Sequence, residues 1–196
     1  MQAVEKLFTS RRFHEITLDD VAQAARVGKG TIYRYFQDKD DLFFQTATSG
    51  FDDLCSLLRQ KVPNTTPFVE QLASACAEIS GFFKRRRQLF QMMQAEEDRI
   101  YWFTGTIRDR WMAKRRSLVA AVAEIIRKGV REGKVRNDIP AEVLANFFLG
   151  MLRTRARDLA NAPEVTPRNE LLVDLFCRGA GGGEENTRNQ KRFTDD

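Results

Sequence analysis

The sequence predicts an all-α fold in two parts, an N-terminal three-helix domain with a helix-turn-helix and a larger helical domain after it. Three observations carry this expectation. Apolar residues recur with helical spacing along the 196 residues, and no segment alternates with the period of two that a half-buried strand needs. All five prolines stand where helices would start or stop. Periodic segments are short over the first ~45 residues and longer afterwards, with breaks at 63–67, 138–140 and 162–167.

The first short helix begins near residue 2. In the second, Leu18, Val21, Ala22 and Ala25 form one apolar stripe, with Thr17 as N-cap and Asp20 three residues on as its box partner. Val27 and Gly28 make a turn. The next helix starts near Lys29 and buries Ile32 and Phe36, one turn apart, which directs Gly30, Thr31, Tyr33 and Arg34 outward. Gly30 costs a helix about 1 kcal/mol relative to alanine, so its presence points to something that approaches the backbone there. Thr31 and Tyr33 carry hydroxyls suited to phosphate oxygens, and Arg34 suits guanine or phosphate; a polar face turned to water is the plainer reading of such residues taken alone. Asp38 reads as the N-cap of a longer helix, with Lys39 at its first position. A cation there opposes the helix dipole, and a docked phosphate would resolve the conflict, as would Asp38, Asp40 and Asp41 themselves.

The run from Phe13 through Thr17, the turn at Val27 and Gly28, and Lys29-Gly-Thr-Ile-Tyr-Arg-Tyr-Phe to Phe43 resembles the TetR/AcrR family of regulators. That resemblance implies an N-terminal DNA-binding domain, a larger ligand-binding and dimerisation domain, and repression relieved by a small molecule. By the same resemblance, DNA contacts fall on Thr17, Lys29, Gly30, Thr31, Tyr33, Tyr35 and Lys39, beside Arg34 from the helix geometry. Arg12 and Arg26 stand where the family has glycine. Either these turns hold a non-glycine residue in a left-handed conformation, or the two arginines are added phosphate contacts.

The expected organisation is a DNA-binding domain over 1–46, an effector-binding and dimerisation domain over 47–178, and a disordered tail over 179–196, which is rich in glycine and polar residues. The segment 82–112 is the aromatic centre of the chain. Phe83, Phe90, Met93, Tyr101, Trp102 and Trp111, with Phe147 and Met151 further on, are the expected lining of a pocket for a small, largely apolar effector, although core packing is the plainer reading of each taken alone. Lys84 to Arg87 and Glu96 to Asp98 leave the sign of any charge on that effector open. A helix over 141–160 and a second apolar face near the C-terminus are the expected homodimer interface, formed by Leu144, Phe148, Gly150, Leu152, Leu172, Leu175 and Phe176.

Enzyme chemistry finds no support. One histidine, three widely spaced cysteines and no nucleophile–base motif suggest neither catalysis nor a metal site, and no cofactor is expected. No apolar run approaches the ~20 residues of a membrane span and no secretion signal opens the chain, so a cytoplasmic protein without a membrane partner is expected. The net charge of +5 favours a polyanionic partner, but residues 1–45 hold seven basic and seven acidic side chains and so carry no net charge. Recognition of double-stranded operator DNA therefore rests on placement rather than bulk charge. The alternative is a helical ligand-binding or interaction module without operator recognition.

Overall fold

The computed structural model describes residues 2–95, 105–159 and 169–181. Among these residues it contains nine α-helices and one short 3-10 turn. Helix α1 is Gln2–Ser10, and the 3-10 turn Phe13–Glu15 leads to α2, Leu18–Ala25. Helix α3 is Lys29–Tyr35, and α4 is Lys39–Lys61. Then follow α5, Phe68–Arg85; α6, Arg87–Ala95; and α7, Gly105–Arg131. The last two are α8, Ala141–Arg157, and α9, Asn169–Ala180. The breaks at 63–67 and 138–140 fall between helices as their prolines require, with Pro140 as the N-cap of α8.

The helices group into two compact units. One is the chain to Cys55 with Phe82–Leu118; the other is Ser56–Gly81 with the described chain from Val119 onward. In the first unit the short helices close over Val4, Phe8, Phe13, Ile16, Leu18, Val21, Ile32 and the start of α4, all buried. Phe8 stacks on Phe13 at 5.5 Å, and both meet the edge of Phe43, which is fully buried. Three aromatic rings at one point let helices of seven to nine residues, each too short to persist alone, hold a fixed arrangement. Trp111 of α7 is buried against Phe51 of α4, ring centroids 5.1 Å apart, in this same core.

In the second unit Gly129 of α7 is a point of close approach, where a Cβ would come within 2.7 Å of the Phe68 ring and of Val135. Glu132 accepts the Phe68 N–H at 2.9 Å and so caps α5 from across the unit. On α8 and α9, Phe148 meets Phe176 at 5.2 Å, and Leu144, Leu152 and Leu172 are buried with them. The dimer face expected from these five residues is thus corrected, because they pack inside their own chain. The apolar side chains left exposed are Val143 and Phe147 on α8 and Leu171 and Leu175 on α9. Gly150 has open space where a Cβ would stand.

Order also runs further than expected at the C-terminal end. Gly179 and Ala180 belong to α9, Ala180 is buried, and its carbonyl accepts the Arg136 N–H at 2.9 Å. Cys55 and Cys76 are buried and Cys177 half-buried, each outside any disulfide. Burial pushes the Cys76 and Cys177 thiols up, away from the reactive thiolate. Among the described residues no helix is long and apolar enough to cross a membrane.

Candidate nucleic-acid interface

Helix α2 starts on a complete capping box. Thr17 Oγ1 accepts the Asp20 N–H at 3.1 Å, while the Asp20 carboxylate accepts both the Thr17 N–H and its hydroxyl at 2.7 Å. The Thr17 hydroxyl proton is thereby committed. In the free protein this residue is the expected cap that holds α2 in place. Hydrogen bonds from Thr17, and then Arg11 at 3.3 Å, hold the Asp20 carboxyl below the usual aspartate range. The sign follows directly: a carboxyl lowered in the folded state stabilises above its unfolded value, and that share is lost as pH falls through the folded value. Melting curves between about pH 5 and pH 2 should show an acid-labile share in the wild type that Asp20→Asn lacks. Parallel curves for the two proteins would show that the box carries no such share.

The chain leaves α2 through Arg26, whose φ of 56° and ψ of 43° are left-handed. Its N–H closes the helix on the carbonyls of Ala22 and Gln23. Arg12, the other position flagged for this conformation, is corrected: its φ of −68° and ψ of 143° are extended, so that turn needs no glycine.

Helix α3 follows with Gly28 as N-cap and buries Ile32, with Phe36 packed against the same core. Lys29, Gly30, Thr31, Tyr33, Arg34 and Tyr35 are all exposed. Tyr33 and Tyr35 show more than half their surface, unusual for aromatic side chains in a packed domain. Nothing within 4 Å would meet a Cβ at Gly30, so internal packing does not account for glycine there. Arg34 lies over the Tyr35 ring at 5.1 Å and its Nη2 donates to the Tyr35 hydroxyl at 3.3 Å. That stacking fixes the direction of the guanidinium.

Two contacts were out of reach of the sequence. Lys39 Nζ donates to the Phe13 carbonyl at 2.7 Å and sits 4.4 Å above the Phe13 ring, so the cation at the start of α4 is held by the protein's own 3-10 turn. The expectation that Lys39 waits for an external anion is corrected to that extent. Its partner stands 26 residues earlier, beyond any local pattern. Asp19 carries no signal in the local pattern, yet its carboxylate accepts from Lys29 Nζ at 2.6 Å and from the Tyr33 hydroxyl at 3.4 Å. This pairing raises the Lys29 pKa above its ordinary value, the hydrogen bond that Lys29 donates to Asp19 first among the causes.

Among the described residues, the expected effector positions fall in both units. Phe83 and Phe90 are half-buried and stacked at 4.7 Å within the first unit. Trp111 is core. Phe147 is 64% exposed, and Met151 is half-buried in the second unit. Tyr101 and Trp102 lie outside the described residues, as does the Met93 side chain. A cleft of about 370 Å³ opens elsewhere, between Phe44, Thr48 and Asp52 of α4 and Arg110 and Lys114 of α7, and none of the expected effector residues lines it.

Comparison with known proteins agrees with the geometry of the first three helices. Residues 1–46 match the family described as bacterial regulatory proteins, tetR family, and residues 65–157 match the tetracyclin repressor-like C-terminal domain. The HTH-type transcriptional regulator YhgD of Bacillus subtilis is 24% identical over 78% of this chain and 80% of its own. The HTH-type transcriptional repressor AcnR of Corynebacterium diphtheriae is 22% identical over 89% of this chain and 86% of its own. Among solved structures, the transcriptional regulator FadR of Bacillus subtilis in complex with stearoyl-CoA superposes with a TM-score of 0.78 at 14% identity, covering 91% of this chain and 96% of that one. With a helix-turn-helix exposed on one side and family matches at both ends of the fold, the chain belongs to the TetR family and is a DNA-binding transcriptional regulator.

Proposed function

We propose that the chain acts as a homodimeric repressor, released from operator DNA by a small molecule with a largely apolar body. The DNA-binding part is the segment 1–46; the remainder to the end of α9 serves dimerisation and the effector. The outward side of α3 carries this reading: Gly30 is open, and Thr31, Tyr33, Arg34 and Tyr35 are exposed. One helix of seven residues presents too few contacts for tight binding, so two copies are needed. The exposed apolar side chains Val143, Phe147, Leu171 and Leu175, beside the open Gly150, support a second copy packed on α8 and α9. The stearoyl-CoA bound by FadR of Bacillus subtilis supports an effector with an apolar chain, and AcnR supports repression as the direction of control. Release then needs an effector that favours the non-binding arrangement of the two α3 helices by a few kcal/mol, roughly the coupling a 100-fold change in affinity requires.

Selection of binding sites from random duplex DNA by the full chain, near physiological salt, tests the reading. The expected product is an inverted repeat with half-sites ~34 Å, or a multiple of it, between centres. Failure of any sequence to outcompete bulk DNA would favour a helical interaction module instead.

A further inference from the structure

An acid of α2 reaches the outward side of α3. Residues 1–45 hold as many acidic as basic side chains, and most of the acids have tasks in the fold. Glu5 pairs with Arg86 at 2.7 Å and Asp20 closes the α2 box. Asp38 accepts the Asp41 N–H at 2.7 Å at the start of α4, and Asp41 accepts from Gln37 and Gln45. Asp19 is different, since its two oxygens hold Lys29 and Tyr33, both on the outward side of α3. The pair is exposed, with 70% of the Lys29 side chain and 44% of the Asp19 side chain open to solvent, so the fold gains little from it.

We propose that Asp19 is a built-in competitor for the DNA backbone: in the free protein its carboxylate occupies the two donors, Lys29 and the Tyr33 hydroxyl, that a phosphate would take. The inference rests on α3 being the DNA-facing helix. A carboxylate offers two oxygens to two donors as a phosphate does, at a Lys29 distance of 2.6 Å that suits either. Docking on DNA exchanges one anion for the other. The freed Asp19 then stands beside the phosphates, and the contribution of Lys29 to backbone attraction is largely cancelled. Sequence-independent binding suffers most from this, because it draws almost wholly on such contacts, whereas an operator complex also has base contacts. An acid at this position thus widens the margin between operator and bulk DNA.

Asp19→Asn, Lys29→Ala and the double variant, each as full chain, test the exchange on a 30-base-pair duplex of arbitrary sequence and on a selected operator, across a salt series. Asp19→Asn is expected to tighten binding to the arbitrary duplex roughly three- to tenfold at ~50 mM salt and to steepen the slope of log K against log salt by up to ~0.9. In the Lys29→Ala background the gain should fall below about twofold, as coupling through one partner requires. Weaker binding by Asp19→Asn overturns the proposal and makes Asp19 a residue that positions Lys29 for contact. A gain that persists without Lys29 overturns it in favour of diffuse charge. Binding by the wild type with an unaltered Asp19→Asn sinks the competitor alone; no binding of either duplex by the wild type sinks the DNA-facing reading of α3 as well.

Discussion

Replacing Arg86 with alanine should destabilise the chain by about 3 kcal/mol or more, because it leaves a buried carboxylate without its counter-ion. Glu5 is a charged residue in the middle of α1 with 4% of its side chain exposed, a position that an acid occupies only when paired. Arg86 stands at the corner between α5 and α6 and spans two acids, Glu5 through Nη2 at 2.7 Å and Asp53 of α4 through Nη1 at 2.6 Å. Asp53 is half-exposed and loses little when the arginine goes. Glu5 cannot reach water without α1 moving. Arg86→Lys should recover only part of the loss, since a point charge on a single stem cannot bridge both carboxylates as the guanidinium fork does. Removing both charges with Glu5→Gln and Arg86→Met should cost less than Arg86→Ala alone. Urea denaturation at unchanged m reads all three. An Arg86→Ala midpoint equal to that of the wild type would show that α1 is held by its apolar face alone.

What could be read from the sequence, and what could not, divides by distance along the chain. The Thr17–Asp20 box and the α2 stripe are legible because all their parts lie within one or two turns. The left-handed Arg26 is legible because it stands where the resembled family has glycine. Arg12 follows α1 under a similar flag but enters a 3-10 turn instead, and nothing local separates the two cases. Lys39 to Phe13, Lys29 to Asp19 and Glu5 to Arg86 join residues 26, 10 and 81 positions apart, and only the folded chain brings them together. The α8 face misled for another reason. Leu144, Phe148 and Leu152 form one stripe and Val143 and Phe147 another beside it, and helical spacing shows which residues align but not which stripe the chain covers itself.

Gly30 is the position where stability and DNA binding should move in opposite directions, and Gly30→Glu should lower operator affinity by about 100-fold or more, a charge repulsion of ~2.7 kcal/mol. Its backbone is not left-handed, and a Cβ added there meets nothing within 4 Å. Gly30→Ala should therefore stabilise the fold, by about 0.5–1 kcal/mol, as the unfolded chain loses freedom and α3 gains a better helix former. A glycine that harms its own helix and fits no internal contact is explained by an outside surface that comes as close as its α-carbon. On that account the alanine methyl costs affinity even as it raises the melting temperature, and glutamate adds to the same obstruction a negative charge facing phosphate. A residue with only a structural task would lower both readouts together. Thermal melting and fluorescence anisotropy on a selected operator separate the cases: wild-type affinity in both variants would place the DNA away from this side of α3, whereas a lower melting temperature for Gly30→Ala would mean that the open space above Gly30 is filled by the protein itself.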